Sequence, residues 1–121
     1  MLLTNKQIIE TTQALFMLDQ MNCSSKVSHI LANNYLKLKK ITEEIDEYRV
    51  KLWRENFGKE SKINEDHVNV QKYNDTYIAK LNEEVNVDLT SIKIKDLNLD
   101  KNTIKPIVLA TISCFITDFN K

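Results

Sequence analysis

The sequence contains very little glycine or proline, with one residue of each in 121. Compact sheet proteins usually need more of both, because glycine supplies positive φ and proline presets the turn backbone. The scarcity therefore excludes a fold made of many short hairpins and favours long helices. The length is that of one domain, which we predict to span residues 1–121, with room for a modest core.

Cysteine and net charge are also scarce. Cys23 and Cys114 lie far apart, so a disulfide framework is not expected, and free thiols are favoured over a single bridge between them. Lys plus Arg and Asp plus Glu number 17 each, which gives a formal net charge of zero. This balance argues against a dedicated nucleic-acid-binding protein, which usually has a basic excess.

Long apolar runs and targeting segments are missing as well. The longest nearly apolar run, Ile107 to Ile116, is too short to span a bilayer. The first residues do not have the apolar region and small-residue cleavage site of a signal peptide. We therefore expect a cytoplasmic protein that does not contact a membrane.

The dominant feature that is present is a heptad pattern in the middle of the chain. Its positions recur at steps of four and three, which is typical of a long helix that packs along one face. Ser24 or Ser25 can cap the start of this helix, and Gly58 can end it. The positions, called the heptad stripe below, are Val27, Leu31, Asn34, Leu38, Ile41, Ile45, Tyr48 and Leu52.

Asn34 fills a position of the heptad stripe that would otherwise be apolar. In coiled coils such a residue fixes the register and the number of partners, so pairing with a second copy is one interpretation. Under that interpretation Asn34→Leu should raise the melting temperature and broaden the distribution of oligomers. The other interpretation is that Asn34 lies at the wet edge of a bundle formed within one chain.

The other segments complete a mainly α fold: a bundle on the long helix, like a coiled-coil hairpin, with a minor β part. Helices are predicted from Thr4, from Val70 to Leu81 and over 103–119, with a buried strand as the alternative for the last. Residues 85–89 and 92–95 alternate between apolar and polar, which predicts a small β-hairpin near the C-terminus.

The order of these parts resembles a family of small proteins of unknown function from tailed phages and prophages of low-GC Gram-positive bacteria. The resemblance is carried by TNKQIIETTQAL at residues 4–15, EEVNVD at 83–88 and IKIKDL at 92–97. It implies a viral or prophage origin and a bacterial cytoplasm. It supplies no functional residues that can be assigned to positions of this chain.

Motifs for catalysis or cofactor binding are not evident in the sequence. There is no glycine-rich loop for a phosphate, and His29 and His67 do not have the further ligands that a zinc site requires. We therefore predict neither an enzyme nor a cofactor or metal. Contact with a protein fits better, because Trp, Tyr and Arg often dominate interface energy. The candidate interface residues are Asn34, Tyr48, Trp53 and Arg54.

The leading functional hypothesis is a small phage-type accessory protein that binds a host or phage protein, for example to inhibit a host defence system. One alternative is a structural or assembly component of the virion. Another is a homo-oligomer, formed through the long helix, that sequesters a small nucleotide signal. The lysines of the long helix are interleaved with acids, so nucleic acid is not expected as a partner.

Overall fold

The computed structural model describes residues 1–60, 62–64 and 66–119, and it confirms the mainly helical fold, with 61% helix. Within these residues the α-helices are α1 (Asn5–Phe16), α2 (Ser25–Phe57), α3 (Val70–Leu81) and α4 (Pro106–Ile112). Strands β1 (Leu2–Thr4) and β2 (Glu84–Asn86) pair antiparallel. Two 3-10 turns cover Ile94–Leu97 and Ser113–Phe115.

The start of α1 has the predicted capping box. The Thr4 hydroxyl accepts the Gln7 N–H at 3.1 Å, and the Gln7 side-chain oxygen accepts the Thr4 N–H at 2.8 Å. Two further bonds join this helix start to the end of α3. The Asn5 N–H donates to the Glu83 carbonyl at 3.0 Å, and the Asn5 side chain donates to the Lys80 carbonyl at 2.8 Å.

The long helix α2 is the central element of the fold. Ser24 caps it by accepting the Val27 N–H at 3.2 Å, and it ends at Gly58, whose φ of 65° favours glycine. With 33 residues it is about 50 Å long. The heptad stripe faces inward as predicted: Ile41 and Tyr48 are half-buried and its other positions are buried. α1 and α3 both pack on α2.

The predicted β-hairpin over residues 85–95 is wrong. Val85 lies in β2 and pairs with Leu3 of β1, whereas Ile92 forms an isolated parallel bridge with Ile116. The connection Thr90–Ser91 has neither the glycine nor the asparagine that a tight two-residue hairpin turn favours. Each half of the alternating segment therefore pairs with a distant part of the chain.

The C-terminal segment contains less helix than predicted. α4 begins at Pro106, whose missing N–H costs nothing in a first turn, and it ends at Ile112. An extended stretch follows the 3-10 turn and pairs with Ile92, which donates to the Phe115 carbonyl and accepts the Thr117 N–H, both at 3.0 Å. The predicted helix is therefore correct for part of this segment, and the buried-strand alternative is wrong, because within 103–119 only Ile116 pairs as a strand residue would, in an isolated bridge.

The core lies where α1, α2, α4 and the irregular segment 87–97 meet. Its most deeply buried apolar side chains are Phe115, Ile8, Leu38, Leu97 and Ile112. Cys23 and Cys114 are free thiols, as predicted. Among the helices of the described residues, none combines the length and the apolar character needed to cross a bilayer.

Candidate protein-contact site

Asn34 is not at a surface. Its side chain is 0% exposed, its Nδ2 donates to the Thr90 carbonyl at 3.0 Å, and its Oδ1 accepts the Thr90 N–H at 2.9 Å. The carboxamide thus satisfies both backbone groups of one residue, as a neighbouring strand would. Pairing across a second copy and a wet bundle edge are therefore both wrong for Asn34, because the chain itself crosses the heptad stripe at this point.

Tyr48 lies on a different flank of α2 from Trp53. The Lys80 ammonium of α3 lies 4.8 Å from the centroid of the Tyr48 ring, which is within the range of a cation–π contact. Tyr48 lines a cleft of about 300 Å³ together with Asn5 and Val85, and Trp53 lines another. The structure therefore separates Tyr48 from the other candidate residues.

Trp53 belongs to an aromatic cluster where α2 meets α3. Its ring centroid is 4.6 Å from that of Phe57 and 5.4 Å, edge to face, from that of Tyr73. The Phe57 ring also meets His67, with centroids 5.1 Å apart. The indole N–H donates to the Glu60 carbonyl at 2.6 Å. Packing and hydrogen bonding together hold the indole in one orientation, so its accessible part forms a rigid surface.

Arg49 and Asp46 form an ion pair one turn before Trp53. An Arg49 Nη lies 3.1 Å from an Asp46 carboxylate oxygen, and its Nε also donates to that oxygen at 3.2 Å. This hydrogen bonding raises the pKa of Arg49, so the guanidinium stays charged. Both side chains are partly exposed, and such a pair contributes little to stability.

A cleft of about 850 Å³ opens beside Trp53, and Arg54 lines it as well. The other lining residues include Val50, Gly58 and Lys59. Among the described residues, no carboxylate lies within 4.0 Å of the charged groups of Arg54 or Lys59. The cleft therefore presents a fixed indole, an aliphatic side chain, the cations of Arg49, Arg54 and Lys59, and the acidic residue Glu60, and we call it the Trp53 cleft. The predicted pairing of Trp53 with Arg54 at one site is consistent with this geometry.

A second cleft, of about 350 Å³, lies between the end of α1 and the start of α2, where no site is predicted from the sequence. Its lining is mostly apolar and includes Phe16, Met21, Ala32 and Tyr35. Phe16 is 64% exposed, and its ring centroid lies 6.3 Å from that of Tyr35. Exposed apolar surface of this kind often marks an interaction site. The signal in the sequence is the run of consecutive apolar residues at 14–18, too wide for one buried helix face.

Groups suited to metal binding are not assembled in the described part of the chain. There, no cluster of three or more His, Cys, Asp or Glu side chains can hold a metal ion. Burial raises the pKa of the Cys114 thiol, which keeps it protonated at neutral pH and makes it a weak nucleophile.

Comparisons with known proteins found no matching family model, no significantly similar curated protein and no significantly similar solved structure. The phage-family resemblance therefore remains a prediction.

Proposed function

We propose that this protein acts by binding another protein, and that the Trp53 cleft is the contact site. The observation that supports this most is the combination of a fixed indole with the cations of Arg54 and Lys59 at one opening. Trp and Arg are the side chains that most often dominate interface energy. A side chain that is already held in place loses little conformational entropy when a partner binds.

The partner that fits this cleft is a protein segment with an apolar anchor and an adjacent carboxylate. The anchor would pack on Trp53 and Val50, while the carboxylate would accept two parallel hydrogen bonds from Arg54. A stable interface buries about 800 Å² on each partner, so the contact has to extend beyond one cleft. The exposed side of α2 is the surface available for that extension.

The phage-family resemblance supplies the biological setting of this proposal. In a bacterial host cell the partner would be a host or phage protein, and inhibition of a host defence protein is the leading case. A virion component and an oligomer that sequesters a nucleotide signal are the alternative functions. Neither alternative requires a single host partner, so the presence or absence of one captured host protein distinguishes them from the leading case.

Affinity capture from a phage-infected Gram-positive lysate tests the proposal. The baits are the wild type, Arg54→Glu and the control Lys51→Glu, which reverses another exposed charge of α2 outside the cleft. We expect the wild type and Lys51→Glu to capture one dominant partner. Arg54→Glu should capture at least tenfold less of that partner. Circular dichroism checks that each bait is folded.

Two outcomes would contradict the proposal. Equal capture by wild type and Arg54→Glu would show that the Trp53 cleft is not the contact site. A wild type that captures no protein, but forms a large oligomer by light scattering, would favour virion assembly or nucleotide sequestration instead.

A further inference from the structure

A second heptad stripe runs along α2, one residue after each position of the first. Its positions are 28, 32, 35, 39, 42, 46, 49 and 53, again at steps of four and three. Residues at this spacing share one helix face, so the second stripe runs the length of α2 beside the buried one. α1 touches it where the Thr12 and Thr42 hydroxyls lie 3.1 Å apart.

Three clefts open along the second stripe. The apolar cleft with Ala32 and Tyr35 lies at its start, and the Trp53 cleft lies at its end. Between them a shallow cleft of about 510 Å³ is lined by Lys39, Thr42 and Asp46. A row of clefts along a helix of this length, called the groove below, suits another helix better than a small molecule.

The charges along this groove fall into opposite blocks on the two sides of Thr42. Lys39 and Lys40 precede it, and Glu43, Asp46 and Glu47 follow it; Arg49, which is also on the stripe, is held by its ion pair with Asp46. Antiparallel pairing about a two-fold axis near Thr42 places the basic block of each copy against the acidic block of the other. Parallel pairing would place like charges together. The existing surface pairs, Lys39–Glu43 at 4.0 Å and Arg49–Asp46 at 3.1 Å, are weak enough to rearrange.

The same axis brings the two ends of the stripe together. Trp53 follows Thr42 by eleven positions, and position 31, which precedes Thr42 by eleven, is next to Ala32. Each Trp53 therefore lies opposite the apolar cleft of the other copy. Ala32 is small, which leaves room for the indole, and the exposed Phe16 ring offers an aromatic contact.

We propose that the protein forms a two-fold homodimer in which the second stripes of two α2 helices pair antiparallel. Trp53 of each copy packs into the apolar cleft of the other, and Lys39 pairs with Asp46 across the axis. This inference rests on the proposed function in that it takes Trp53 as a contact residue. A target protein would then compete with the second copy for the same groove.

Sedimentation of the purified full chain tests the dimer through a charge exchange. We expect the wild type to sediment at twice the monomer mass. The two-fold axis creates two contacts between residues 39 and 46. In a Lys39→Glu dimer both contacts place the introduced glutamate against Asp46, and in an Asp46→Lys dimer both place the introduced lysine against Lys39, so each variant has two repulsive contacts. Each variant should raise the dissociation constant of the dimer by roughly a hundredfold. An equimolar mixture of the two restores opposite charges at both contacts and should recover the dimer.

Recovery of the dimer on mixing distinguishes a loss of pairing from misfolding, because two variants that both fail to fold cannot restore a dimer when they are mixed. Lys51→Glu, outside the groove, should leave the mass unchanged. A wild type that stays monomeric at millimolar concentration, or a mixture that stays as weak as its components, overturns the dimer. Lysate capture depends on Arg54, which is outside the second stripe, so failure of the dimer leaves the proposed function standing.

Discussion

The side-chain amide of Asn34 binds both backbone groups of Thr90, a residue 56 positions away in the chain. The bond pair fixes the irregular segment 87–97 across the first half of α2. It also gives each polar atom of the buried Asn34 side chain a hydrogen-bond partner. A buried polar residue that is fully bonded specifies one arrangement of the elements around it.

Asn34→Leu should therefore destabilise the fold. The backbone N–H and carbonyl of Thr90 lose their partners, at a cost of about 1–3 kcal/mol in the free energy of unfolding. Asn33→Leu is the matched control, because Asn33 is exposed on the same helix and its replacement should change little. Urea unfolding measures both. A stabilised Asn34→Leu variant with a broader range of oligomers would instead restore the coiled-coil interpretation.

Leu38 should be one of the most sensitive positions of the core. Its side chain is 0% exposed, so Leu38→Ala removes buried methyl groups, leaves a cavity and should cost about 2–4 kcal/mol. Leu36 is 60% exposed on the same helix, and Leu36→Ala should cost less than about 0.5 kcal/mol. Equal shifts in the thermal melts of the two variants would show that the heptad stripe is assigned to the wrong face.

Alkaline pH should weaken the fold through Cys114. Burial raises the pKa of this thiol above its ordinary value of 9.0, so the folded state holds the proton more tightly than the unfolded state. Its contribution to stability is complete below the unfolded pKa and is lost as the pH rises through the folded pKa. The free energy of unfolding should fall more steeply above pH 9.0 in the wild type than in Cys114→Ala. Parallel curves for the two proteins would contradict this.

The helices could be predicted because their signals are local. The capping box of Thr4 and Gln7, the serine cap before α2 and the glycine after it all act within a few residues. The heptad stripe identifies the buried face of α2 by its period alone. Such signals do not depend on which distant segment covers the face.

The strand pairing could not be predicted because its partners are distant. The alternation around Val85 indicates an extended conformation, but nothing near it specifies Leu3 as the partner. The same holds for Ile92 with Ile116. From local sequence alone, a turn that joins the two alternating segments into a hairpin is the simplest prediction. In the structure each segment instead pairs with a distant part of the chain.

The candidate site divides in the same way. Trp53 and Arg54 share one cleft because they are neighbours in sequence near a helix end. Asn34 and Tyr48 lie on the heptad stripe together with buried leucines. That stripe faces the core, so neither residue lines the Trp53 cleft. The apolar cleft depends on how the end of α1 meets α2, which a single-helix pattern does not describe.

The hydrogen-exchange rate of the Thr90 backbone amide tests most directly whether the heptad stripe of α2 is covered by segments of the same chain. Thr90 is exposed and lies outside the helices and strands, so an amide there would ordinarily exchange fast. The bond to Asn34 predicts strong protection in the wild type, measured by nuclear magnetic resonance. Asn34→Ala should lose that protection while the amides of α2 keep theirs. A wild-type Thr90 amide that exchanges as fast as in an unstructured peptide would contradict the link between Asn34 and Thr90.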